Sequence, residues 1–393
     1  MAGAAEIQAL WGDYQNEIYG RGLAGETPAQ PVGAAALEGA ARERLTPEAF
    51  GYVAGGAGTE GTMRANLLAF ERRRIVPRML RDVSTRDLSI SLLGSRMPVP
   101  VLLAPIGVQS IVHPDAELAT ARAAASLGVP FILSTAASTS IEDVAAAAGD
   151  CCRWYQLYWP RDRGLAASFV ARAQEAGYGA IVVTLDTWML GWRPRDLQNA
   201  FLPFLKGEGI ANYLSDPVFR AMLARPPEED LPAAIGHWAL QFSNPSVTWD
   251  DLAWLRRQTT LPVVLKGILH PDDARRALDA GVDGVIVSNH GGRQVDGAIG
   301  ALDALPGVRA AAGDGMAVLF DSGIRTGADI LKALALGADA VCVGRPYVWG
   351  LGLGGEEGVR TVLRCLLAEF DLTLALSGYT AVGLLDERAL GAG

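Results

Sequence analysis

The chain has 393 residues, 50% of them apolar, with a formal charge of −9 and only four cysteines. That acidic balance argues against nucleic acid or an anionic membrane as partner, because both need clustered cationic surface. Two thiols are adjacent, Cys151 and Cys152, and Cys342 and Cys365 stand alone; this spacing makes neither a disulfide framework nor a zinc site, and a reducing cytoplasm is expected.

The N-terminus, Met1-Ala2-Gly3-Ala4-Ala5-Glu6, lacks the cationic start and apolar stretch of a signal peptide. Residues 1–95 read as a helical extension and cover, with helix starts at Thr46-Pro47-Glu48 and Thr59-Glu60. The longest nearly uncharged run, around Met97 to Ser110, contains three prolines and is too short to span a bilayer.

From Val99 onward one unit recurs: a short apolar run, a turn, then an Ala- and Leu-rich amphipathic stretch ending in Gly. The apolar runs are Val99–Ala104, Phe131–Thr135, Trp154–Tyr158, Ala180–Leu185, Val263–Lys266, Gly284–Ser288, Ala317–Asp321 and Ala340–Val343. Gly128, Gly177, Gly281 and Gly337 each close a helix before the next strand. Strands apolar on both faces and alternating with helices predict a parallel sheet covered by helices. Eight such units predict an α/β fold closed as a (β/α)8 TIM barrel over residues 96–393. One segment, about 194–246 between strands four and five, is far longer than a normal βα loop. It is read as a lid or binding loop, with a packed surface insertion or an oligomer contact as the alternative.

In such a barrel, chemistry sits where strands end. There the polar residues converge: Gln156 and Tyr158 after strand three, Thr184, Asp186 and Arg193 after four, Lys266 at five, Ser288-Asn289-His290-Gly291-Gly292-Arg293 after six. Strand seven ends Asp321-Ser322-Gly323-Ile324-Arg325 and strand eight Gly344-Arg345. Glycines that admit close backbone approach, with Arg325 and Arg345 supplying charge, predict a phosphate site; rim capping by these arginines is the alternative. Lys266 needs an anionic partner if buried, which could be a cofactor, a Schiff-base carbonyl or simply Asp186. His290 suits a general base, with Asp186 to orient its ring and Arg193 and Arg293 to grip a carboxylate beside it. His113, His237 and His270 lack such company. Gly350, Gly352 and Gly355 meet G-x-G-x-x-G formally, but no acidic ribose partner follows, so they read as a turn before the last helix. Neither a metal cluster, a nucleophile elbow nor a P-loop is present in the sequence.

Ser288-Asn289-His290-Gly291-Gly292-Arg293-Gln294, Asp321 to Arg325 and Gly344-Arg345-Pro346 resemble the FMN-dependent 2-hydroxy acid oxidase family, from about Tyr52 to Gly378. Trp11-Gly12-Asp13-Tyr14, Asn16 to Gly20, Ala104 to Val108, Leu185 to Trp188 and Gly191 to Asp196 are most similar to the lactate 2-monooxygenase branch. The resemblance implies FMN as cofactor, with a small 2-hydroxy acid and O2 as reactants and a homo-oligomer of four or eight subunits. It implies that His290 takes the hydroxyl proton, Asp186 stabilises the imidazolium, and Tyr52, Arg193 and Arg293 clamp the carboxylate. Tyr158 would hydrogen-bond the substrate oxygen, and Lys266 would sit beside the flavin. Pro105, Ile106 and Gly107 would lie against the ring, and Ser134, Gln156 and Thr184 at its polar edge. Asp321, Arg325, Gly344 and Arg345 would hold the phosphate, with Ser288, Ser322 and Gly323 as further cofactor contacts. Gly107 is read as spare room favouring a monooxygenase that retains its 2-oxo acid and yields acetate, carbon dioxide and water from lactate. Ala136, Ser138 and Leu190 depart from that branch, so an oxidase releasing 2-oxo acid and peroxide, on an acid as large as mandelate, is the alternative. A dehydrogenase serving a membrane acceptor conflicts with Pro226-Pro227-Glu228-Glu229-Asp230 in the long loop. A flavin-free barrel binding a phosphate ligand is the alternative of another class.

Overall fold

The computed structural model describes residues 10–392; the leader reading at Met1–Glu6 lies outside the described residues. Eight strands form the barrel: β1 (Val101–Leu103), β2 (Phe131–Ser134), β3 (Arg153–Leu157), β4 (Ile181–Thr184), β5 (Val263–Ile268), β6 (Gly284–Val287), β7 (Ala317–Phe320) and β8 (Ala340–Val343). They pair in parallel in chain order, and β8 closes on β1 through Val341–Val101, Cys342–Leu102 and Val343–Leu103. The sequence therefore folds as the predicted (β/α)8 barrel.

The two-residue side-chain period explains why the strand runs are apolar throughout. Leu102, Ile132, Trp154, Val182, Val264, Ile286, Leu319 and Cys342 share one buried cluster inside the barrel. Their strand neighbours, such as Leu133, Val183, Leu265 and Val285, belong to the larger cluster beneath the helices. The hairpin Ile90–Leu92 with Ser95–Met97 adds Leu92 and Met97 to the interior cluster. Gly128, Gly177, Gly281 and Gly337 take φ of +64°, +74°, +67° and +101°, the left-handed helix ends the punctuation predicts.

Before the barrel lie helices Tyr14–Gly22, Ala34–Arg44, Pro47–Ala54 and Gly61–Glu71. Thr46 caps the third, its Oγ1 accepting from Ala49 N at 3.2 Å. The helix predicted at Thr59-Glu60 forms, but Thr59 does not cap it. Thr59 instead donates to Asp296, whose other oxygen accepts from Thr62 N at 3.1 Å, so a loop after β6 supplies the cap. The Gly350–Gly355 run is only in part a turn before the last helix, since Gly350 and Gly352 are helical. It lies within the helical span Arg345–Leu376, which is interrupted only at Gly354 and Gly355, the latter at φ +57°.

The segment between β4 and β5 is packed and partly helical, including Pro194–Gln198, Pro217–Ala221 and Leu231–Phe242. Asp216 and Asp230 cap the latter two. Asp216 is completely buried and pairs with Arg172 at 3.1 Å, tying the insertion to the helix after β3. Among the described residues no helix is long and apolar enough to cross a membrane.

Candidate active site

Moving two residues along each strand from the apolar interior layer reaches Ala104, Ser134, Gln156, Thr184, Lys266, Ser288, Asp321 and Gly344. The same inward direction therefore carries a mostly polar ring at the strand ends, which is the end that βα loops turn into a site. Above it opens a cavity lined by the strand ends and the βα loops. Most of the predicted residues line it: Tyr52, Tyr158, Arg193, Lys266, His290 and Arg293 on the substrate side, and the Pro105–Gly107 and Asp321–Arg325 segments with Gly344 and Arg345. Asp186, Gln156 and Ser288 stand behind that lining, hydrogen-bonded to His290, Ser134 and Lys266, and Thr184 is paired with Lys266 between adjacent strands.

His290 sits in a one-turn helix at φ +57°, a conformation costly for a side chain bearing Cβ. Its N–H donates to Ser288 Oγ at 3.0 Å. Its Nδ1 lies 2.7 Å from Asp186 Oδ1 and 3.1 Å from Thr187 Oγ1. With the proton on Nδ1 donated to Asp186, the lone pair of Nε2 remains available. Burial lowers the His290 pKa below its ordinary 6.5, ahead of the opposing pull of Asp186, so the imidazole is a free base at neutral pH. Burial works against ionisation of Asp186 too, but the charges of His290 and Lys266 outweigh it and hold the carboxyl at about 2.

Lys266 is 4% exposed, and its Nζ lies 3.0 Å from Ser288 Oγ, 3.4 Å from Asp321 and 3.9 Å from Asp186. Desolvation disfavours its charge, yet Asp321 and then Asp186 more than compensate, so its pKa rises and the ammonium persists. The predicted pairing with Asp186 is thus the longer of two. Asp321 is placed beside this lysine, not among the arginines expected at the phosphate. Ser322 Oγ donates to Asp321 and accepts from Gly291 N at 3.0 Å, so that hydroxyl ties β7 to the β6 loop.

Arg193 and Arg293 come together: Arg193 Nε donates to the Arg293 carbonyl at 3.1 Å. Arg293 Nη1 donates to the carbonyls of Tyr52 and Gly55, and its guanidinium lies 5.2 Å from the Tyr52 ring centroid. Among the described residues Arg293 has no carboxylate partner, and Arg193 has only Asp196 at 4.0 Å. Burial, then the neighbouring Arg193, depresses the Arg293 pKa to about 10. A buried Arg193 and a half-buried Arg293, with no carboxylate nearer than 4.0 Å among the described residues, are disposed to take a carboxylate. Tyr158, its pKa pushed up to about 12 by burial, remains a hydroxyl donor there. On the same cavity, the Arg325 guanidinium among the described residues bonds only the Ile324 carbonyl, while Arg345 donates to the carbonyls of Val53, Gly55 and Gly291. Burial lowers the pKa of both.

Three residues carry structure here that sequence reasoning did not single out. Thr187 joins Asp186 to His290. Gln294 accepts from Arg193 Nη2 at 2.6 Å and donates to the Asp186 carbonyl at 2.8 Å, binding the β4 and β6 loops together. Gln294 closes the Ser288–Gln294 motif, which was its only signal. Phe242 reaches the cavity from the insertion, and nothing in the local sequence points it there.

The residues fit a flavin phosphate. Gln156 Oε1 accepts from Ser134 and Thr135, but its buried Nε2 has no partner. That donor stands in a ring with Ser134 and Lys266, which share their cavity with Arg325 and Arg345; among the described residues neither arginine has a carboxylate partner, and the set suits an anionic heterocycle with a phosphate tail.

This is a barrel whose mouth gathers an imidazole held by a carboxylate, two neighbouring guanidiniums and a buried ammonium. The model of the FMN-dependent dehydrogenase family matches residues 41–392, and the chain belongs to that family. It is 48% identical over 376 residues to an FMN-dependent alpha-hydroxy acid dehydrogenase of Penicillium citrinum, covering 95% of this chain and 94% of the relative. It is 47% identical over 352 residues to an L-lactate oxidase of Lysinibacillus sphaericus, with 90% of each covered. A crystal structure of mandelate oxidase superposes with a TM-score of 0.82 at 43% identity, over 93% of this chain and 99% of that one. FMN is accordingly the cofactor, and the class of reaction is the oxidation of 2-hydroxy acids.

Proposed function

We propose that the chain oxidises an L-2-hydroxy acid to the 2-oxo acid with O2 as final acceptor, and that the side chain accommodated is larger than methyl. The observation that carries this reading is the free-base imidazole of His290, pinned by Asp186, in one cavity with Arg193 and Arg293. The paired guanidiniums bind the substrate carboxylate and fix which face of C2 is presented. Nε2 of His290 takes the hydroxyl proton, and Asp186 stabilises the imidazolium so formed. Tyr158 donates to the same oxygen. Lys266 keeps a positive charge at the floor of the cavity. FMN, which Pro105–Gly107, Lys266, Arg325 and Arg345 would hold, would supply the two-electron acceptor for the hydride from C2, with O2 as its oxidant. Ala136 and Leu190 line the cavity, and both are smaller than the side chains that the monooxygenase branch leads one to expect there.

The lactate 2-monooxygenase reading, which the sequence puts first, is the second reading here; it rests on the likeness of the Leu185–Trp188 and Gly191–Asp196 segments, which hold Asp186, Thr187 and Arg193. Its argument from Gly107 is weaker. A Cβ on Gly107 would meet the Ala136 carbonyl oxygen at 2.4 Å, so backbone approach alone accounts for the glycine. Turnover of purified holoenzyme in air on L-lactate and larger acids, with 2-oxo acid, peroxide and acetate quantified, decides. Stoichiometric 2-oxo acid and peroxide are expected; acetate as main product from lactate would establish the second reading. An absence of turnover on every 2-hydroxy acid would refute both.

A further inference from the structure

We infer that the insertion between β4 and β5 builds the recognition surface for the substrate's side chain, and that this surface selects an acid bearing an aromatic ring on, or one carbon from, C2. The inference rests on the 2-hydroxy acid reading above. Phe204 and Phe242 line the cavity that holds His290 and Arg293, and they are 3% and 7% exposed. Phe204 stacks on Trp238 with centroids 4.9 Å apart and planes at 29°. Phe242 lies 5.0 Å from Trp238 and 5.2 Å from Tyr158, meeting the latter at 61°.

These rings come from two separate pieces of the insertion, the turn Pro203–Lys206 and the helix Leu231–Phe242. Their mutual packing fixes the wall, with Trp238 behind it as a positioning residue that does not itself line the cavity. Aromatic side chains have few rotatable bonds and large apolar faces, so a wall of them presents area at little entropic cost. A methyl group would leave most of that area without contacts, whereas an aryl ring would fill it by edge-to-face or offset packing. Ala136, whose methyl group projects little into the space, leaves room for the ring to enter. Because Phe242 also packs on Tyr158, a bound ring would bear on the group that donates to the substrate oxygen. Side-chain recognition and positioning of the reacting centre are thereby joined in one stack.

The test is anaerobic single-turnover reduction of the holoenzyme by L-lactate, L-mandelate and L-3-phenyllactate. The rate divided by apparent Kd is expected to favour an aryl acid over lactate by at least about tenfold, the scale set by apolar pocket contacts. Phe242→Leu and Ala136→Leu should each lower the aryl-to-lactate ratio by about tenfold. A general packing defect would instead lower both rates and leave the ratio in place. Trp238→Ala should lower the ratio through Phe204, and Trp238→Phe should restore it. Preference of the unaltered enzyme for lactate, or a ratio unmoved in both Phe242→Leu and Ala136→Leu, would overturn the inference. Ala136→Leu serves the same purpose if the Phe242 variant does not fold. Reduction by none of the three acids would count against 2-hydroxy acid oxidation itself, a distinct outcome.

Discussion

His290 Nδ1 lies 2.7 Å from Asp186 Oδ1 although the two residues are 104 positions apart and ride on loops after different strands. Because the histidine also holds φ +57°, its backbone is set by the β6 loop and its ring by the β4 loop. Replacing it by Asn, which tolerates the left-handed region better than Ala, separates chemistry from folding. His290→Asn should retain FMN and unfold at a similar temperature. Its flavin reduction should slow by about 10²- to 10⁴-fold, the contribution of a positioned base. Stopped-flow bleaching measures this, and a near-normal rate would remove His290 from the role.

The pH dependence follows from the same pair. The base acts when unprotonated, so reduction should rise with pH on the acid side and level off, with a midpoint below the ordinary histidine value of 6.5. Asp186 pulls that midpoint up, against burial. Asp186→Asn should therefore move the acid limb to still lower pH while the plateau rate falls, by about 10²-fold or more where the imidazolium loses its partner. A limb shifted upward would contradict the assignment.

Lys266 is enclosed by Asp186 and Asp321, so Lys266→Met leaves two carboxylates in a poorly solvated layer. Breaking a buried pair in this way costs about 3–5 kcal/mol. Without the Lys266 charge the folded-state pKa of Asp186 should rise, so the variant's deficit should shrink as pH falls. Denaturant unfolding of the holoenzyme at neutral and acidic pH tests this, and adding Asp321→Asn should recover part of the loss at neutral pH.

Arg293 offers a planar fork that lysine cannot reproduce. Arg293→Lys should raise KM for the hydroxy acid by about tenfold or more, with a loss of kcat if the carboxylate no longer fixes C2. Steady-state kinetics at constant flavin content separate the two effects.

Gly107 sits so close to the β2 loop that Gly107→Ala must displace Ala136. Overpacking of this kind costs about 1–3 kcal/mol. Lowered thermal stability and weaker FMN retention are expected, measured by unfolding with flavin fluorescence. A variant of unchanged stability that merely redistributes acetate and 2-oxo acid would instead support Gly107 as a device for product retention.

Much of the fold was legible because both faces of the strands are apolar and Gly128, Gly177, Gly281 and Gly337 close helices before the next strand. Lys266 and His290 stood out because a charged or titratable group at the end of an apolar run has few structural explanations. The partnerships were harder to read. Lys266 is nearer Asp321 than Asp186, and Ser322 braces a neighbouring loop; both depend on side-chain directions after the strands diverge. Thr187 and Gln294 serve contacts more than a hundred residues away, which no local pattern encodes. Asp296 capping a helix that begins at Gly61, and the Phe204–Trp238–Phe242 stack, are likewise products of tertiary packing.

The two tiers inside the barrel place stability and chemistry on adjacent rungs of the same ladders. Sliding a strand by a single residue would aim its hydrophobic outward positions at the flavin and drive Lys266 or Ser134 under a helix. Variation that alters what the enzyme oxidises must therefore accumulate in loops and in the inserted segment, while the staves themselves are held in alignment by the penalty for misplacing a charge.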